Sequence, residues 1–170
     1  MKLRSHEEIQ EFLTRPKHLA IIRKAALAPY TRGVRKKETN KLLSQVTRLL
    51  LKSALGEKVF RGSTGRAFKA VAEGKVQLNI PASLRAKMKI KARSEYNIKG
   101  NRRVEILNDL ETVVTHLQFP IWSLEPERLK GMTHIEQETA IHHLKGALAY
   151  IRNTAKFALR PKSSLAFRTR

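Results

Sequence analysis

Eight cationic side chains crowd into the nineteen residues from Arg85 to Arg103: Arg85, Lys87, Lys89, Lys91, Arg93, Lys99, Arg102 and Arg103, against the single acid Glu95. The Glu–Lys pairing at i,i+4 that would make such a run an ordinary solvated helix face is absent. The chemistry open to so dense a tract is neutralisation of phosphates, with release of their condensed counterions. Tyr96 stands within it and can stack on a base or sugar. Two further groups share this character. In Arg61-Gly62-Ser63-Thr64-Gly65-Arg66, the backbone N–H groups of Gly62, Ser63 and Gly65 open a helix between Arg61 and Arg66, an arrangement suited to a backbone phosphate. It lacks the lysine and spacing of a nucleotide-binding P-loop, and an ordinary helix-starting turn accounts for it equally. Tyr30–Lys37, carrying Arg32, Arg35, Lys36 and Lys37, reads as a basic loop able to lie over a phosphate backbone; a flexible loop explains it as well.

Groups that could catalyse or hold a metal are sparse. Glu105 and Asp109 lie one helical turn apart beside the basic tract and could hold Mg²⁺ in a nuclease-like site. The same acids suit the outer face of a core helix, with Glu105 near its positive N-terminal end, and this reading is preferred. His134, Glu138 and His142 fall at i, i+4 and i+8, with His143 adjacent, but no third-ligand motif accompanies them. No Gly-x-Ser-x-Gly or Ser-His-Asp signature occurs. The absence of cysteine excludes disulfides, thiolate zinc sites and thiol catalysis, and suits a reducing cytoplasm. The expectation is a protein without catalytic residues, cofactor or metal.

The charge is uneven along the chain. Its 170 residues carry 35 Lys+Arg and 14 Asp+Glu, a formal net of +21. Residues 1–104 hold 26 basic and 7 acidic side chains, residues 105–138 hold 2 and 7, and residues 139–170 hold 7 basic and none acidic. So large an excess repels itself and calls for a counter-charge, which a polyphosphate backbone supplies. A protein that merely coated a polyanion would gain nothing from the acidic stretch 105–138. That segment is expected to meet a protein partner or a second copy. A membrane surface is disfavoured, because no apolar run approaches the ~20 residues of a span and the sole tryptophan, Trp122, sits in the acidic segment. Met1–Leu13 carries three glutamates and no apolar core, so no targeting segment is read there.

The elements that must position these groups are mostly helical. Ser5 with Glu8, and Thr133 with Glu136, form capping boxes. Helical periodicity places Leu19, Ile22 and Ala26 on one face, and Leu42, Leu43, Val46, Leu49, Leu50 and Leu55 on another, ended by Gly56. Ala67, Phe68 and Val71 mark a short helix closed by Gly74. The clearest helix carries Val104, Leu107, Leu110, Val114 and Leu117, widened by Ile106 and Val113. Phe119–Met132, with Pro120, Pro126 and Gly131, is expected to be a connection, with Trp122 in the core. A last helix runs from Thr133 to about Leu159 through Ile141, Leu144, Leu148, Ile151, Ala155 and Ala158. Residues 75–93 fit either a small two-stranded β-ribbon or a helix over 82–94, with the helix preferred.

The sequence thus predicts an all-α domain of about six helices over residues 1–160, with a basic flexible tail over 161–170. Its predicted role is non-enzymatic binding of RNA or DNA, as an accessory subunit of a nucleoprotein complex that grips the sugar–phosphate backbone with little base readout. The alternatives are a structural component of a ribosome-like particle or virion, and a Mg²⁺-dependent nuclease using Glu105 and Asp109.

Overall fold

The chain is all-α. The structure, a computed structural model, describes residues 1–77, 96–97 and 101–158. Helix α1 (His6–Thr14) starts at the predicted capping box, the Glu8 N–H donating to Ser5 Oγ and the Ser5 N–H to the Glu8 carboxylate at 2.8 Å. One residue later Pro16 opens α2 (Pro16–Leu27), which runs into a 3-10 turn over Ala28–Tyr30. Helix α3 (Lys36–Leu55) ends at Gly56, whose φ of 77° is a conformation side-chain-bearing residues avoid. Then come α4 (Glu57–Arg61), α5 (Ser63–Ala72), α6 (Asn101–Trp122) and α7 (His134–Ala158).

Side-chain contacts fix the directions of these helices. Arg152 lies 3.8 Å from Glu111, and the Lys145 ammonium stands 5.7 Å from the Trp122 ring, so α6 and α7 are antiparallel. His6 touches His116 and Gln10 donates to Ser123, so α1 runs parallel to the second half of α6. The Arg4 N–H donates to the Ala54 carbonyl at 3.0 Å, which sets the start of α1 beside the end of α3. Helix α5 folds back along α3, bringing Glu73 to Ser44 and Arg48. Ile9, Leu13, Leu50, Leu51, Phe68, Leu110, Leu117, Leu144 and Ile151 are fully buried in one connected core.

Several sequence expectations need correction. The basic loop at Tyr30–Lys37 is shorter than expected, because Lys36 and Lys37 already form the first turn of α3; the Glu38 carboxylate accepts the Arg35 N–H at 3.2 Å and moves the helix start upstream of the apolar stripe. The Arg61–Arg66 turn reduces to the single joint Gly62 between α4 and α5, and Gly65 lies inside α5. Phe119–Trp122 is helical rather than part of a connection: Pro120 sits within the last turn of α6, and the Ser123 N–H still reaches the Phe119 carbonyl at 2.9 Å. Prolonging the helix turns Ile121 inward with Leu117 and sends Phe119 and Trp122 outward. Trp122 is 65% exposed, not a core residue. Val104 is likewise exposed, two residues before the buried stripe begins at Ile106. A β-ribbon confined to 75–93 is not what the described residues show; their strand pairing is a two-residue parallel contact of Val76-Gln77 with Tyr96-Asn97. The helix expected over 82–94 and the tail 161–170 lie outside the described residues.

Candidate nucleic-acid interface

Several basic elements meet at one end of the helix bundle. Gly74 turns the chain out of α5 with a φ of 68°, and its backbone lies against Thr154 of α7. The strand pair follows at once, and α6 begins at Asn101, four residues after Asn97. Because Glu111 faces Arg152, the first turn of α6 lies beside the last turns of α7. Lys75, Arg102 and Arg103 therefore share this end of the molecule, where Val76-Gln77 pairs with Tyr96-Asn97. The predicted site residues Arg85, Lys87, Lys89, Lys91, Arg93 and Lys99, and the side chain of Tyr96, lie outside the described residues.

One carboxylate organises the neighbouring cations. Glu73, with a side chain only 8% exposed, receives Arg48 Nε at 2.7 Å, Lys75 Nζ at 3.0 Å and Ser44 Oγ at 3.3 Å. Burial by itself would raise its carboxyl pKa; the hydrogen bonds from Arg48 and Lys75 outweigh burial and hold it below the usual carboxylate range. Glu73 stays ionised and pins two cationic stems, Arg48 on α3 and Lys75 at the exit of α5. Composition and local spacing do not reveal this cluster, since its residues are 25 and 2 positions apart and only the return of α5 along α3 joins them.

Arg32, Arg35, Lys36 and Lys37 are all exposed at the N-terminal end of α3, where the helix dipole adds positive potential. Lys37 and Arg48 are eleven residues apart on one helix, about 16 Å along its axis. The group at Arg32–Lys37 and the cluster at Arg48–Lys75 thus bracket the first thirteen residues of α3. Arg61, Ser63 and Arg66 lie toward the opposite end of α3 from Arg32–Lys37, a helix that at 20 residues is about 30 Å long, and Arg66 stands seven residues before Glu73, about 10 Å along that axis. Arg61 is 2.6 Å from Glu57, and the Gly62 N–H already donates to the carbonyls of Lys58 and Val59, leaving it unavailable to an anion.

Glu105 and Asp109 lie one turn apart on α6, on a different helix from His134, Glu138 and His142 on α7. Glu105 is exposed and Asp109 half-buried on α6, and His134 pairs with Glu138 at 3.7 Å on α7. Among the described residues, no group of three or more histidine and carboxylate side chains gathers as metal ligands. No helix among them is long and apolar enough to cross a membrane. No protein-family model, curated protein or solved structure matches the chain.

Proposed function

We propose that the protein binds the sugar–phosphate backbone of RNA or DNA, without enzymatic activity, as an accessory subunit of a nucleoprotein assembly in a reducing compartment such as the cytoplasm. The observation that carries this reading is the gathering of Lys75, Arg102 and Arg103 beside the strand pair of Val76-Gln77 with Tyr96-Asn97, in a chain of net charge +21. The sequence between the two strands contains Arg85, Lys87, Lys89, Lys91 and Arg93. Arg32, Arg35, Lys36 and Lys37 extend the cationic surface along α3. Binding of this kind positions the backbone and reads little sequence. The acidic segment 105–138 is the proposed contact for a protein partner or second copy, and the exposed Phe119 and Trp122 on it supply apolar area for such a contact.

The test is binding to single- and double-stranded DNA and RNA of matched length across a salt series. An electrostatic grip gives a slope of log K against log salt of roughly −0.7 to −0.9 per phosphate contacted. Replacing the exposed Arg32, Lys36, Lys37 and Arg102 by alanine is expected to flatten that slope by about one for each phosphate no longer neutralised. A flat slope for the unaltered protein would overturn the proposal. Aggregation that only nucleic acid relieves would instead favour a structural component of a ribosome-like particle or virion.

A further inference from the structure

A cavity of about 450 Å³ opens between the Ala28–Tyr30 turn, α3 and α7. That is within the ~300–1,000 Å³ range of small-ligand sites. Pro29, Leu43 and Ala147 give it apolar walls, and two tyrosines, Tyr30 and Tyr150, stand at its rim, 76% and 49% exposed. Behind its wall lies an unusual hydroxyl, closed off from solvent. Thr47 is 1% exposed, and its Oγ1 has no hydrogen-bond partner. The helical threonines Thr14, Thr112, Thr115 and Thr139 all return their hydroxyls to the carbonyl four residues back, at 2.7–2.9 Å. Thr47 does not, although a buried unpaired hydroxyl is destabilising. Beside it, burial and the neighbouring His142 hold the His143 pKa below its ordinary value, so the ring is neutral near pH 7 and presents one donor and one acceptor. The remaining lining residue is Gly146, in the middle of α7, where a Cβ would meet nothing within 4 Å. A helix-interior glycine with no packing reason to be small keeps this opening wide.

The cavity also lies within the cationic surface. Leu43 and Thr47 continue toward the N-terminus of α3 through Asn40 and Lys36 on the same helical stripe. On the other side, Arg48 follows Thr47 in the chain, and Tyr150 is one turn from Thr154, against which Gly74 packs beside Lys75. The larger cleft between α1, α2 and residues 127–132 differs in kind: Arg23 crosses it, already bonded to Glu136 and to the Gly131 carbonyl.

We propose that this cavity receives one unpaired nucleobase of a single-stranded nucleic acid, with Tyr30 and Tyr150 as stacking faces, His143 on its polar edge, and the flanking phosphates on Arg32–Lys37 and Lys75. The inference rests on the nucleic-acid reading and narrows it to single strands. Stacking on aromatic side chains accepts any base, which accords with weak sequence preference.

The full chain is tested against 12-nucleotide single strands of RNA and DNA, the same strand made abasic throughout, a duplex, and adenosine monophosphate. Tyr30→Ala with Tyr150→Ala is expected to weaken single-strand binding by about tenfold or more, while binding to the abasic strand, binding to the duplex and the salt slope stay as they were. Both tyrosines are exposed, so the folded state tolerates the change. Gly146→Leu is expected to weaken single-strand binding by filling the opening. An equal loss on the abasic strand, or no loss on the single strand, overturns the inference. So does binding of adenosine monophosphate without binding of any strand, which would mark a free-nucleotide site. If the unaltered protein binds no nucleic acid at all, the parent reading fails; if it binds strands and the tyrosine variant binds them equally, only this inference fails.

Discussion

Glu73 shows how one buried carboxylate fixes two cations that would otherwise wave in solvent. Its folded-state pKa is lowered, so its contribution to stability is complete above the unfolded value of about 4.3 and is lost as pH falls through the folded value. Glu73→Gln is therefore expected to lower unfolding free energy by roughly 1–3 kcal/mol at pH 7, with the difference from the unaltered protein shrinking as pH drops below about 4. Urea denaturation at pH 7 and pH 3 measures both; a penalty unchanged at pH 3 would mean that the loss is not electrostatic. The residues singled out from sequence differ in how well their positions could be anticipated. Arg32, Arg35, Lys36 and Lys37 stand exposed together, as their spacing allows, because all belong to one short stretch. Thr47, His143, Gly146 and Tyr150 carry no spacing signal as a set, since they come from two helices about a hundred residues apart. The one available hint is Gly146, a glycine within a helical pattern.

At the scale of elements, apolar periodicity locates most helices, because burying one stripe is what stabilises a helix in a folded protein. Its failures have identifiable causes. The start of α3 is set by Glu38 capping rather than by an apolar residue, so a stripe beginning at Leu42 misplaces it. The end of α6 is hidden because proline usually stops a helix, whereas Pro120 costs little where only the last turn remains. Stopping the helix before Pro120 leaves Trp122 free to turn inward; the helical register exposes it. Two helix-interior glycines make a contrast that propensity alone would miss. A Cβ at Gly65 would overlap the backbone of Phe60, where α4 and α5 meet almost in contact. Gly65→Ala is expected to destabilise by about 1–3 kcal/mol, although alanine is the better helix former. Gly146, with open space before it, is expected to gain roughly 0.5–1 kcal/mol on replacement by alanine. Chemical denaturation of the two variants compares them directly; a stabilising Gly65→Ala would contradict the close α4–α5 approach.

For the whole molecule, a net charge of +21 opposes compaction, and screening relieves that repulsion. The melting temperature is therefore expected to rise between low salt and about 0.3 M, and to rise further with heparin at low ionic strength through preferential binding to the folded state. A melting temperature that falls over the same salt range would show that local ion pairs such as Arg48–Glu73 outweigh global repulsion. By itself the sequence determined the all-α class, the apolar stripes and capping boxes, and the uneven charge, since each follows from composition or from neighbours within a few residues. Only the tertiary structure decided that Lys75, Arg102 and Arg103 share one end of the bundle while Arg61–Arg66 lies toward the opposite end of α3 from Arg32–Lys37. The antiparallel run of α6 and α7 and the return of α5 along α3 made those choices, and the same packing enclosed the Thr47 cavity. Direction and proximity between helices depend on how whole stripes fit together, and no local run of residues contains that information.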